Sequence, residues 1–169
     1  MVPTLTFRLL FVFVGLRHDR RELLHLHVTD HPTAVWTARQ IVEAFPNETA
    51  PRYLLRDRDA IDGECFTRSI TNMGIREVII APRAPWQNAF VERVIGSIRR
   101  EGLDHVIVLS EAHLGGLLRA YFAYDNTARP HQSLDNNSPQ PREVHPPDLG
   151  RVVSIPQVGG LHHRDQRAA

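Results

Sequence analysis

Two stretches near the start of the chain, residues 4–16 and 22–28, are crowded with Phe, Val and Leu, and the polar run Arg17-His-Asp-Arg-Arg21 between them has the length of a hairpin connection. Near-continuous apolar runs of this kind predict paired central strands, covered on both faces. The eight apolar residues 9–16 follow Arg8, are too few to span a bilayer and end in no small-residue cleavage site, so they read as a buried strand. The pattern then changes to a helical period. Ala34, Ala38, Ile41, Val42 and Phe45 form one stripe over residues 33–45, and Thr29-Asp30-His31-Pro32 ahead of them offers cap candidates and a proline for a first helical position.

Further along, residues 52–56 predict a short strand that runs into Arg56-Asp57-Arg58-Asp59, residues 63–73 a helix closed by Gly74, and residues 77–81 another strand. Pro82 and Pro85 bracket a loop. In residues 87–101, Val91, Val94, Ile95 and Ile98 recur at the i, i+3, i+4, i+7 spacing of one buried helical face. A last helix is expected over residues 111–126, with Ser110 as its cap and Leu114, Leu117, Leu118, Tyr121 and Phe122 on one side. Beyond Pro139 the chain turns proline- and glycine-rich, which predicts an extended tail with one short hairpin. The order β, β, α, β, α, β, α, α points to an α/β sandwich. The four strands are expected in one mixed sheet, with helices 33–45 and 87–101 packed on it.

With 169 residues, 42% hydrophobic and 23% charged, the chain has the composition of one soluble globular domain. A net charge of +1 does not by itself announce a nucleic-acid binder, so the placement of the bases matters more. Every base is an arginine, which suits bidentate phosphate contacts, although a bias in coding would give the same result. The single cysteine, Cys65, can form no disulfide within the chain; it fits a reducing cytoplasm and reads as a small buried hydrophobe. Ten histidines include His25, His27, His162 and His163, but these sit at strand or tail spacing without a Cys or acid partner, so a histidine metal site is disfavoured.

One acid interrupts the basic first half of helix 87–101. Glu92 lies beside the apolar stripe rather than opposite it, and Gly96 and Arg99 share its side. Asp57 stands at the end of a strand, where α/β folds place sites, and Glu92 follows 35 positions later, after one helix and one strand. Two carboxylates brought together there would repel unless a cation held them, and hard oxygen ligands favour Mg²⁺ or Mn²⁺. Two such ions can clamp a phosphodiester. Solvated surface acids are the bland alternative, since 19 acids make such pairs freely.

Taken together, Asp57 at a strand end, the loop and helix Ala81-Pro-Arg-Ala-Pro-Trp-Gln-Asn-Ala-Phe-Val-Glu92-Arg, and Tyr124-Asp-Asn-Thr-Ala-Arg-Pro-His-Gln-Ser-Leu134 followed by Ser138-Pro139 carry a family likeness. They resemble the integrase core of bacterial insertion-sequence transposases and retroviral integrases. The resemblance spans roughly residues 1–143, leaving 144–169 as a tail. It implies an RNase H-like fold, an Asp, Asp, Glu triad that holds Mg²⁺ or Mn²⁺, and cutting of DNA 3′ ends with joining to target DNA. DNA and a second copy of the chain are the implied partners, with no membrane. Asp57 matches the second acid and Glu92 the third. Arg99 matches a basic position that contacts the DNA end, Gly96 would leave room for the backbone of a strand, and Tyr124, Asn126, Arg129, Pro130 and His131 match a signature with a structural role.

Two departures qualify the resemblance. Asp125 stands where a second tyrosine is common, which removes an expected aromatic contact. Asp59 rivals Asp57 from two positions on. In relatives the first acid lies ahead of a segment like Val2-Pro-Thr-Leu-Thr-Phe-Arg-Leu-Leu-Phe-Val-Phe, so this chain is expected to be N-terminally truncated and inert. Asp19, in the first turn, matches a non-catalytic residue. The competing expectation is a catalytically dead DNA-binding or assembly module.

Overall fold

Strand β2 (Leu9–Arg17), apolar at nearly every position, pairs with β3 (Glu22–Thr29) and contributes to two cores at once, one on each face. The pair is antiparallel, with Val12 opposite Val28, Val14 opposite Leu26 and Leu16 opposite Leu23 on one face. Phe13 opposite His27 and Gly15 opposite His25 lie on the other. The computed structural model describes residues 1–46, 49–57 and 63–168.

The first face packs beneath α3 (Ala89–Glu101) and α4 (Glu111–Thr127), where Leu10, Leu23, Val28, Ile98, Leu114, Leu118 and Tyr121 form the larger core. Against the second face stands α1 (Ala34–Ala44), whose Trp36 meets both Phe13 and His27 edge-on and whose buried Gln40 bonds His25 at 2.9 Å. A smaller core joins Ala38 and Ile41 of α1 to Phe66 and Ile70 of α2 (Glu64–Asn72) and to Ile75, with Phe13 and Leu54 packed against it. Strands β4 (Tyr53–Arg56) and β5 (Arg76–Ile79) run parallel beside it. The terminal hairpin of β6 (Arg151–Gln157) and β7 (His162–Ala168) is the one expected in the tail; it docks through buried Val158 and through His162, which stacks on Tyr124 at 4.6 Å.

The element order follows the hydrophobic pattern, but the single sheet does not. The described strands form three sheets, β1-β2-β3, β4-β5 and β6-β7, where β1 is only Val2–Pro3. The physical reason is the shortness of β1. It covers the edge of β2 at Leu9 and Leu10 alone, and among the described residues no strand bridges the rest of that edge to β4.

Smaller corrections share one cause, the phase of each helix. Thr33, extended at φ −119° and ψ 158°, caps α1 by accepting from the Trp36 amide at 3.2 Å, so Pro32 falls outside the helix. Cys65 is exposed rather than buried, because Phe66 and Ile70 take the inner side of α2. Val42 is exposed for the same reason. Ser110 caps α4 as expected, accepting from the His113 amide at 3.1 Å.

Asn126 fastens α4 to the sheet. Its side chain accepts from the Leu23 amide at 2.9 Å and donates to the Leu23 carbonyl at 2.8 Å, pairing both backbone groups of a buried residue. Truncation to alanine strands both, and buried unpaired groups cost about 1–3 kcal/mol each. We expect Asn126→Ala to lose about 2–4 kcal/mol in urea unfolding at neutral pH, and Asn126→Asp to lose stability too, because its carboxylate keeps the acceptor for the Leu23 amide but faces the Leu23 carbonyl without a proton to donate.

Candidate active site and interface

Helix α3 begins after a 3-10 turn at Pro85–Asn88 and turns three faces to three surroundings. Val94 and Ile98 pack into the larger core. Asn88, Val91, Ile95 and Arg99 line a cavity of about 980 Å³ that opens between α1, α3, β2 and β4. The expected single buried stripe is therefore split, and Ile95 is 38% exposed because it faces that cavity.

Asp57, exposed at the C-terminal end of β4, lines the same cavity as Arg99. Its carbonyl accepts from Arg56 Nη1 at 2.8 Å, and Arg56 in turn donates to Glu77 at 2.6 Å. Glu92 lies in the first turn of α3, exposed, next in sequence to the cavity-lining Val91 but not itself in the lining. An acid in a first turn is also favoured by the positive end of the helix dipole, with no metal needed. Among the described residues neither carboxylate is taken up by an ion pair. Asp59 lies outside the described residues. Asp19 stays in the first turn, accepting from the Arg20 amide at 2.7 Å.

Gly96 does not make room for a strand. A Cβ there would meet the Arg100 guanidinium at 3.0 Å, so the glycine lets that side chain fold over the helix. The histidines are occupied separately: His25 by Gln40, His27 by the Val28 carbonyl, His162 by the Glu101 carbonyl. Among the described residues no three His, Cys, Asp or Glu side chains gather as a metal would require.

The comparisons with known proteins sharpen the reading of α3. Residues 73–139 match the integrase core domain. That match takes in Glu92 and Arg99 and leaves Asp57 ahead of it. No curated protein matches the chain. Among solved structures, a chain of the simian T-cell lymphotropic virus intasome in complex with PP2A regulatory subunit B56 gamma is similar over 91% of this chain, with a TM-score of 0.59 and 14% identity. The α/β fold is thus that of an integrase, and this chain spans 59% of the intasome chain it matches. No described helix is long and apolar enough to cross a membrane.

Within the integrase core match, the residues of the Tyr124 to His131 signature tie the two helices together. Arg129 donates to Asp125 at 3.0 Å and to Glu101 at 2.5 Å, while Tyr121 donates its hydroxyl to the other Glu101 oxygen at 3.0 Å. Asp125, 1% exposed, also faces His131 Nε2 at 3.7 Å. In place of the missing aromatic contact, the aspartate thus supplies a buried charge that Arg129 and His131 surround. Sequence reasoning missed Glu101 and Tyr121. Tyr121 reads as one more apolar position, and Glu101 stands 28 residues from Arg129 with no local signal of the pairing.

Burial, first, and then the Glu101 and Asp125 charges push the Tyr121 hydroxyl well above its ordinary value of 10.0, against the opposing pull of Arg129. The folded protein therefore keeps a proton that the unfolded chain loses above about pH 10, so stability is intact below that pH and declines as pH rises past it. One such group contributes at most about 1.4 kcal/mol per pH unit. Urea midpoints at pH 9 and pH 11 should fall steeply for the wild-type protein and less for Tyr121→Phe.

Proposed function

We propose that the chain is the core of a transposase or integrase that cuts and joins DNA strands, with Asp57 and Glu92 as carboxylate ligands of Mg²⁺ or Mn²⁺ and Arg99 as a phosphate contact. One observation supports this most: Asp57 and Arg99, singled out separately in the sequence, line one cavity, and the helix that carries Arg99 and Glu92 lies inside the integrase core match. The donor chemistry fits. Two exposed carboxylates that form no ion pair among the described residues offer the hard oxygens these cations take, and Mg²⁺ is commonly bound through one or two carboxylates completed by substrate phosphates. When bound, such an ion polarises a phosphodiester and lowers the pKa of an attacking hydroxyl or water.

The chain's own residues have simpler tasks. Arg99 would grip a phosphate through two parallel N–H donors and fix the DNA end beside the carboxylates. Arg93 and Arg100, also exposed on α3, would add to the local positive field. DNA ends and target DNA are the substrates on this reading, and a second copy of the chain is the proposed partner in assembly. Residues 1–143 would form the catalytic core and 144–169 an appended tail.

A donor set of two carboxylates also favours a second reading, a DNA-binding or assembly module without catalysis, because two ions on a phosphodiester call for three such ligands. The 169-residue protein is expected to bind duplex DNA weakly, with affinity falling steeply as salt rises, and Arg99→Ala should lower the salt slope by about one. It should neither cut nor join DNA in Mg²⁺. An N-terminal extension that supplies a strand aspartate should bring back 3′-end cleavage, and Glu92→Gln should remove it again. Equal cleavage by the extended and unextended proteins would show that another acid, Asp19 or Asp59, serves as the third ligand.

A further inference from the structure

Two stretches far apart in the chain meet beside the larger core and leave an apolar face on its outer side. The Leu5 amide donates to the Val108 carbonyl at 2.8 Å, which sets the turn between β1 and β2 beside residues 106–110. That segment is extended at both ends, at Val106 (φ −137°, ψ 145°) and at Ser110 (φ −156°, ψ 169°). Successive side chains of extended backbone point to opposite sides. Thr4, Leu10 and Val108 take the inner side and are buried, so Leu5, Leu9, Ile107 and Leu109 take the outer one, each more than half exposed. An outer face of this kind is ordinarily polar, and this one is wholly apolar.

Phe7 adds a second departure from ordinary surface. It stands at the tip of the turn, 90% exposed and with φ +60°. A bulky residue in the left-handed region is strained, and glycine or asparagine would sit there at less cost. Buried Thr4 holds the conformation: its amide donates to the Arg8 carbonyl at 2.8 Å, its carbonyl accepts from the Phe7 amide at 2.9 Å and its hydroxyl accepts from the Arg8 amide at 3.0 Å. Strain and exposure thus fall on one aromatic ring, and burial against a partner would offset both.

Charge and size point to the partner. None of the five side chains is charged, and Arg8 at the rim is taken up by Asp30, so neither a DNA phosphate nor an anionic lipid surface finds a free base in the patch. With about 180 Å² for a whole large apolar side chain, the five expose on the order of 600 Å², the upper end of what a lone protein usually shows in one patch. Two such patches laid face to face bury about 1,200 Å², where stable and specific interfaces begin, before any rim is added. A neutral apolar face meets its own copy without repulsion, and a two-fold axis brings the same patch from both sides.

We propose that Leu5, Phe7, Leu9, Ile107 and Leu109 form a two-fold interface on which a second copy of this chain docks, each Phe7 ring being covered by the apolar rows of the other copy. The proposal rests on the reading above only in taking a second copy as partner, and it involves no carboxylate and no phosphate.

Sedimentation velocity over a range of concentrations tests it, with DNA binding measured on the same samples. The 169-residue protein should form a dimer that dissociates on dilution. Leu5→Glu with Leu109→Glu, and Leu5→Arg with Leu109→Arg, should each weaken that dimer at least tenfold, whereas an equal mixture of the two should form a heterodimer that added salt dissociates. Phe7→Asn should weaken the dimer by a similar factor and yet raise the urea midpoint of the monomer, because asparagine tolerates the left-handed turn. Val35→Glu with Val42→Glu, which charges similarly exposed apolar positions on α1, should leave the dimer unchanged. A protein that stays monomeric at every concentration overturns the proposal, as does a dimer that survives the changes at Leu5 and Leu109 or is lost with those at Val35 and Val42. DNA binding by a protein that never dimerises would sink this surface and spare the DNA reading, while a patch-dependent dimer that ignores DNA would do the reverse.

Discussion

Arg129 is where helix α3 is held to α4, and most of what α3 presents depends on that hold. Its guanidinium spans Asp125 on its own helix and Glu101 at the last position of α3, with Ser97 within 3.4 Å. An isolated helix of 13 residues is marginal in water, so the orientation of α3 has to come from its contacts. Ile98 anchors it in the larger core, and the ion pair fixes its rotation at the C-terminal end. That rotation sends Val94 inward, Val91, Ile95 and Arg99 to the cavity, and leaves Glu92 exposed at the first turn. Burial opposes charge at Arg129, but Tyr121, Asp125 and Glu101 together outweigh it and hold the guanidinium firmly protonated. Partly buried pairs of this kind often add little net stability; here the pair selects one helix orientation.

The hydrophobic pattern made the order and type of the elements legible because the two kinds of run differ: near-continuous apolar residues in β2 and β3, and a three-to-four spacing in α1, α3 and α4. What the pattern leaves open is pairing. A strand buried on both faces reads the same whether its edges are covered or bare, so residues 4–16 suggested the centre of one sheet, while β1 covers just two residues of the β2 edge. Phase errors have the same character. Ile95 and Cys65 are apolar residues near helix faces that packing later divided, and a stripe of four or five positions does not say which of its margins meets solvent. The cap at Thr33 is not legible in the sequence because two further candidates, Thr29 and Asp30, precede Pro32, and only the backbone conformation separates them.

The candidate site was legible in a different way. Asp57 and Arg99 came from chain position and family resemblance, 42 residues apart, and both line the one cavity between β4 and α3. Asn126 and Arg129 were expected to be structural, and their bonds to Leu23, Glu101 and Asp125 bear that out in detail. Glu101 and Tyr121 escaped because long-range partners leave no periodic trace, whereas the Asp125–Arg129 pair sits at the i, i+4 spacing that a helix makes local.

Charge placement separates binding from chemistry on the DNA reading. The net charge of +1 hides the fact that many arginines are already engaged, Arg8 with Asp30, Arg17 with Asp19 and Glu22, Arg39 with Glu43 and Arg56 with Glu77. Arg93, Arg99 and Arg100 stand exposed along α3, two of them in its last turn, where the negative end of the helix dipole favours a base. Glu92 occupies the opposite end of the same helix, and Asp57 lies on a different element. Phosphate contacts made through the arginines would draw on the local field and not on the carboxylates, because attraction between a guanidinium and a phosphate needs no bridging cation. On that reading a core would keep hold of DNA through its arginines whether or not its carboxylates carried metal, so affinity alone would not distinguish an active core from an inert one, and only the dependence on a divalent cation would.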